Sequence, residues 1–339
     1  MKTVFKVMSM AAVGVLTTIG AARAQTVLTL SSWLPPTHPV VTDMIVPWTE
    51  QVKKATSGRV TVQILAKGIG QPKGQFDVAR DGLADVAYSV HGYTPGRFLM
   101  TKVAEFPFLG SSSEALSVAY WKVHQSHLAK ANEHDGTHLL SLFTHGPGHI
   151  HTAKKPVTSA KDLAGQKIRV GGGVMNDVAQ ALGAVPLLKP AAESYELLSN
   201  GVADGTFLPN ESVTAFKVED IVKHTTLVPG GLYNTSFFLV MNKQRFAKLT
   251  PEDQTAIMAI SGEAFARMAG KAWDAVDAKA LEVMKARGNQ VVTADAAFVA
   301  DVKARTAGLE DAWFKAAAEK GVDGKAALAE LRRLTQSPN

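Results

Sequence analysis

One stretch constrains the fold more than any other: residues 162–207, DLAGQKIRVGGGVMNDVAQALGAVPLLKPAAESYELLSNGVADGTF. Gln166–Val170 reads as a short strand with Arg169 near its end, and three glycines follow, Gly171 to Gly173. Asn176–Leu182 has the spacing of a short amphipathic helix, stopped by Gly183. Val185–Leu188 is a second strand, Pro190 opens another helix that ends at Asn200-Gly201, and Asp204–Leu208 is a third strand. Strand, helix, strand, helix, strand is the pattern of a parallel α/β unit. In open sheets of this kind ligands sit beyond the carboxyl ends of the strands. Arg169 lies at such an end. A guanidinium matches a carboxylate with two parallel hydrogen bonds and never loses its charge. Arg169 is therefore expected to hold the carboxylate of a small molecule. An internal ion pair with Glu193 or Asp204, or plain exposure, is the structural alternative.

The rest of the chain repeats this logic. Val27–Ser32 reads as a strand, followed by the loop Trp33 to Pro39 and a helix over Val41–Thr56. Arg59–Leu65 alternates as a strand, Gln75–Leu83 is a helix, and Asp85–Val90 is a strand. Gly92 to Phe98 is a loop with turn residues, and Ser113–Glu133 is a helix. His138–Thr144 and His149–Thr152 are strands around Gly146-Pro147-Gly148. Gly82-Leu83-Ala84-Asp85 is echoed by Gly201-Val202-Ala203-Asp204, each just before a strand. The echo reflects either the similarity of turns before parallel strands or two α/β domains of similar build facing one cleft. Val213–Val222 reads as a helix and Thr225–Val228 as a strand. Gly230 to Asn234 is a turn, and Thr235–Met241 is a β-rich run expected to cross back to the first domain. Thr250 caps a helix with Pro251 at its first position and acids in its first turn. Run on to Arg287, that helix would be on the order of 55 Å long and would lie along both domains. Asp295–Lys320 and Ala326–Leu334 finish the chain as helices.

These elements divide as a signal peptide over 1–24, a first α/β domain over 25–150, a second over 151–236, and a return to the first over 237–339. The first segment has Lys2 and Lys6, an apolar stretch from Met8 to Ala22, and an A-x-A site at Ala22-Arg23-Ala24. It is too short and wrongly flanked for a membrane span. Its removal lowers the formal charge from +6 to +3, because Lys2, Lys6 and Arg23 leave with no acid. No basic stripe interleaved with aromatics is present, so nucleic acid is not an expected partner. The chain has no cysteine, so an exported form rests on its core alone. No later segment reaches 18 consecutive apolar residues, and a soluble, two-domain, exported monomer points to the periplasm.

Enzymatic signals are weak. The chain lacks G-x-S-x-G, H-E-x-x-H and a Walker loop. His149-x-His151 would put two imidazoles on one strand face, compatible with a metal, but no carboxylate stands at fixed spacing beside it. No catalytic residue, metal or cofactor is assigned. Trp33, Tyr88, Tyr93, Phe207 and Tyr233 fall at strand ends or loops, where several facing one cleft would make an apolar site.

The segments Asp162-Leu163-x-Gly165-x-Lys167-Ile168-Arg169-Val170, Gly183-Ala184-x-Pro186, Glu193-x-Tyr195-x-Leu197 and Gly201-Val202-x-Asp204-Gly205, with Leu249-Thr250-Pro251-Glu252-Asp253 downstream, resemble the DctP-type solute-binding proteins of TRAP transporters. The resemblance runs from about Val27 to about Leu334. It implies an α/β, two-domain periplasmic binding protein fold with a ligand cleft between the domains and a long connecting helix. It also implies that Arg169 binds a ligand carboxylate, and that the acid passes to small and large membrane subunits driven by an ion gradient. The chain departs from many members of the family. His149 stands where they carry a second arginine, Trp33 stands near an asparagine of sialic acid binders, and Leu208-Pro209 replaces Asn-Pro. These changes remove polar contacts and add an aromatic. The expected ligand is a monocarboxylate with an apolar or aromatic body, wrapped by Trp33, Phe207 and Tyr233. His149 or His91 would meet a polar substituent, and Tyr93 and Asn234 complete the expected contacts. A C4-dicarboxylate, an ABC-type permease partner, or a periplasmic hydrolase or metal-dependent enzyme are the alternatives.

Overall fold

The computed structural model describes residues 25–336; the segment read as a signal peptide, 1–24, lies outside them. Eleven strands among the described residues form two sheets. The first sheet holds β1 (Thr26–Ser31), β2 (Val60–Ile64), β3 (Val86–Val90) and β4 (Thr137–Thr144). The second holds β5 (His149–Thr152), β6 (Lys167–Val170), β7 (Val185–Leu188), β8 (Gly205–Leu208) and β9 (His224–Leu227). β10 (Ser236–Asn242) returns to the first sheet, in the order β2-β1-β3-β10-β4. β11 (Gln290–Thr293) joins the second, in the order β11-β9-β5-β8-β6-β7. Each sheet is parallel except around one inserted strand. β10 runs antiparallel to β3 and β4, and β5 runs antiparallel to β8 and β9.

The antiparallel strands follow from how the chain changes sheets. It leaves the first sheet after β4 through Gly146-Pro147-Gly148 and returns through Gly230 to Thr235. The two connections lie side by side. Gly148 N–H donates to the Tyr233 carbonyl (2.9 Å), and Leu232 N–H donates back to the Gly148 carbonyl (2.9 Å). Thr235–Met241 thus crosses back as its sequence suggested.

The G-x-A-D echo has a common structural use. The Asp85 carboxylate accepts from Thr29 N–H on β1 (2.8 Å), and the Asp204 carboxylate accepts from Lys167 N–H on β6 (2.8 Å). Each acid ties the turn before one strand to the backbone of its parallel neighbour.

Two readings need correction. The helical run from Pro251 is interrupted: Pro251–Ala259 ends, Ser261 takes an extended backbone, and Gly262–Ala286 continues. Ser261 Oγ accepts from the Trp48 indole (3.1 Å), which fixes the break. The helix expected over Val213–Val222 ends at Ala215, and Lys217 has a positive φ of 57°. β11 falls in a stretch to which the sequence reading assigned no element. It pairs in parallel with β9 from Gln290↔His224 to Thr293↔Leu227, so the C-terminal third contributes to both sheets. Among the described residues no helix is long and apolar enough to cross a membrane.

Candidate ligand site between the two sheets

Arg169 is 1% exposed. Strand alternation on β6 turns it inward, and two carbonyls hold its guanidinium: Nε donates to Lys189 (2.8 Å) and Nη1 to Phe207 (3.4 Å). Neither carboxylate suspected from the sequence pairs with it. Glu193 pairs with Lys189 (3.2 Å), and Asp204 is occupied by the β6 backbone. No carboxylate among the described residues forms an ion pair with Arg169. A buried charge without a counter-ion is costly. Gly171 leaves open the space beside Nη2: a Cβ there would lie 3.3 Å from Nη2 and 3.2 Å from the Tyr93 ring.

That space opens into a cavity between the two sheets. Trp33, Leu34, Val90, Phe237 and Trp273 line it from the first half, and Arg169, Met175, Leu208 and Phe216 from the second. Tyr233 and Thr235 enter from the crossing segment. The Trp33 and Tyr93 rings meet edge to face, with centroids 5.7 Å apart. Tyr93 also bridges the halves, its hydroxyl accepting from Ala191 N–H (3.0 Å).

The eight residues expected at a ligand divide evenly. Arg169, Trp33, Tyr93 and Tyr233 line the cavity. The other four stand behind it. Phe207 is fully buried, its ring stacked beneath Tyr233 with centroids 6.1 Å apart. His149 is buried, with Nδ1 accepting from Val228 N–H (3.2 Å). His91 bonds Ser236 through Nδ1 (3.0 Å) and His134 through Nε2 (3.0 Å). The Asn234 amide, oriented by its surroundings, donates to the carbonyls of His145 (3.1 Å) and Gly146 (3.0 Å). His151 is also spent on structure, between the Thr225 hydroxyl (3.0 Å) and the Leu208 carbonyl (3.0 Å).

The sequence reading missed His38, Ser212 and Trp273. Pro39 after His38 and the His145-Gly146-Pro147-Gly148 crossing were visible signals of fixed loops. Trp273 lies on a helix whose cavity-facing side only packing selects. Several lining residues carry buried polar atoms without a protein partner: Tyr233 OH, His145 Nε2, His38 Nε2 and the indole nitrogens of Trp33 and Trp273. His145 Nδ1 donates to the Gly146 carbonyl, which leaves Nε2 as an acceptor. Burial pushes the phenols of Tyr93 and Tyr233 up, and the nearby Arg169 charge opposes that push. The arrangement offers an anion one fixed positive charge, phenol and indole donors, and aromatic walls.

The fold and this geometry fit a known family. The model of bacterial extracellular solute-binding protein family 7, also called DctP, matches residues 30–316. The chain belongs to that family. Among solved structures, it is 49% identical to a TRAP periplasmic solute-binding protein of Bordetella bronchiseptica with bound (R)- and (S)-mandelate. The TM-score is 0.90, over 92% of this chain and 99% of that one. It is 30% identical to a TRAP solute-binding protein of Rhodoferax ferrireducens with copurified benzoate, with a TM-score of 0.86 over 92% and 98% of the two chains. A marine metagenome TRAP solute-binding protein specific for aromatic acid ligands, with 3-hydroxybenzoate, is 33% identical, with a TM-score of 0.86 and coverage of 92% and 98%. The DctP-family fold thus matches the α/β architecture with its long, bent connecting helix.

Burial gives this DctP-family protein a distinctive pH response. Desolvation pushes Glu211 up to about 8 and Asp277 up to about 7. It pulls His38, His145 and His151 down to about 4, and His91 and His149 to about 3. Below the ordinary histidine value of ~6.5 the unfolded chain binds protons that these folded histidines refuse, so stability rises with pH. Above it only the carboxyls act. The folded protein keeps the Asp277 proton up to about 7 and the Glu211 proton up to about 8 while the unfolded chain has lost them, so stability falls. The melting temperature of the ligand-free protein should peak near pH ~6.5. Glu211→Gln should flatten the alkaline limb. Calorimetric scans from pH 4 to 9 test this, and a continuous rise through pH 8 would contradict it.

Proposed function

We propose that this protein captures an aromatic monocarboxylate in the periplasm and presents it to the two membrane subunits of a TRAP transporter. One observation carries the reading: a buried guanidinium without a counter-ion, Arg169, opens into a cavity walled by Trp33, Tyr93, Tyr233, Phe237 and Trp273. The carboxylate pairs with Arg169 and the aromatic body fills the remaining space. The mandelate, benzoate and 3-hydroxybenzoate held by similar proteins support the same ligand class. A C4-dicarboxylate fits less well, since no second cation faces the cavity among the lining residues. The chemistry is capture and release rather than turnover.

The two halves act as domains joined at the paired crossings near Gly146–Gly148 and Gly230–Thr235, with the bent helix alongside. They open to admit the acid and close over it. The transporter recognises the closed form.

Mass spectrometry of small molecules released from the purified protein, followed by a thermal-shift panel of organic acids, tests the reading. A ligand at 100 times its Kd adds ~2.7 kcal/mol, which raises the melting temperature by roughly 4 °C for a chain of this size. Benzoate, mandelate or a relative should do so with succinate inert. Stabilisation by succinate alone, or chemical conversion of the bound acid, would overturn it.

A further inference from the structure

Two buried polar groups beside the cavity remain unexplained by carboxylate capture. His38 is 4% exposed and Glu211 is 1% exposed. His38 lines the cavity, as does Ser212, the residue after Glu211. His38 Nδ1 accepts from Val40 N–H (3.2 Å), so the proton of the neutral ring sits on Nε2. Nε2 has no partner, and neither does Glu211 Oε1. The two atoms stand 3.6 Å apart, beyond hydrogen-bond range. Ser212 engages the other oxygen, Oε2, at 2.8 Å. Protonated on Oε2, the carboxyl still presents Oε1 as an acceptor. A donor and an acceptor thus lie together, both buried and both unsatisfied, which costs stability unless something fills them.

This pair is separate from the carboxylate end. Arg169 bonds the Lys189 and Phe207 carbonyls, whereas the Glu211 backbone N–H bonds the Asp277 carboxylate. We infer that His38 and Glu211 form a subsite for a hydroxyl group on the body of the ligand, which donates to Glu211 Oε1 and accepts from His38 Nε2–H. An oxygen ~2.8 Å from each atom closes a triangle on their 3.6 Å base. A hydroxyl both donates and accepts, as the pair requires. An amino group would satisfy Glu211 alone, and a second carboxylate, an acceptor only, would satisfy His38 alone. The inference rests on the aromatic acid reading and narrows it to ring-hydroxylated acids.

Titration calorimetry on the purified full chain tests it, comparing benzoate with 3- and 4-hydroxybenzoate and mandelate with 4-hydroxymandelate. At least one hydroxylated acid should bind about tenfold tighter than its parent or better. The readout is that ratio. His38→Asn keeps an acceptor for Val40 N–H and removes Nε2; it should bring the ratio to within about threefold of one. Glu211→Leu should do the same, and Glu211→Gln, which retains a carbonyl oxygen, should restore part of it. Tighter binding of no hydroxylated acid, or a ratio that survives both His38→Asn and Glu211→Leu, overturns the subsite. Benzoate binding without discrimination sinks the subsite alone. Failure to bind any aromatic acid sinks the ligand class and the subsite with it.

Discussion

Arg169→Ala is expected to weaken ligand binding by roughly 30-fold to several-thousand-fold. The range corresponds to the ~2–5 kcal/mol lost when one partner of a buried, hydrogen-bonded charge pair is removed. The carboxylate would then enter a cavity whose other polar side chains are the neutral groups of Tyr, Trp, His, Ser and Thr. None carries the charge needed to offset its desolvation. Arg169→Lys should fall between, since a lysine keeps the charge but loses the planar fork and the Nε bond to the Lys189 carbonyl. The same alanine variant should not lower the melting temperature of the ligand-free protein in proportion, because the guanidinium has no internal counter-ion to lose. Titration calorimetry and thermal scans on one preparation separate these effects. Wild-type affinity in Arg169→Ala would move the site elsewhere.

Gly172→Ala should weaken binding by about 10- to 100-fold without touching the ligand. Gly172 follows β6 in the second sheet and has a φ of 88°. A Cβ there would overlap the carbonyl oxygen of Gly92, which follows β3 in the first sheet. The clash exists only where the two halves meet, so it penalises the closed arrangement more than either half alone. Far-UV circular dichroism should be unchanged, while small-angle scattering should show less compaction on adding ligand. Normal affinity and full compaction would show that this contact does not govern closure.

The glycine run was conspicuous in the sequence, yet its use was not legible there. Gly171 keeps space beside a guanidinium, and Gly172 lets two backbones from different sheets touch. Arg169 could be picked out because a strand end is a local property: the pattern around Gln166–Val170 places it whatever the rest does. The crossing strand β10, the G-x-A-D turns and the order of strands and helices were legible for the same reason. Local periodicity and turn chemistry act over a few residues.

Which aromatics and histidines reach the cavity was not local. β5 and β8 are buried along their whole length, so hydrophobic alternation does not tell one face from the other. Phe207 and His149 looked like ligand contacts and instead support the residues that line the cavity. β11 is largely exposed and has no strong pattern of its own; only pairing with β9 makes it a strand. His38 and Trp273 come from a loop and a helix far apart in the chain, and packing brings them to one space.

The sequence by itself determined a parallel α/β unit with an arginine at a strand end, because hydrophobic periodicity and turn residues act locally. The tertiary structure alone decided that this arginine is left without a counter-ion, which four of the eight expected side chains face the cavity, and that His38 and Glu211 stand beside it unsatisfied. Each of those depends on what fills the volume opposite a side chain, and that is set by elements separate in the chain, as for His38 and Glu211.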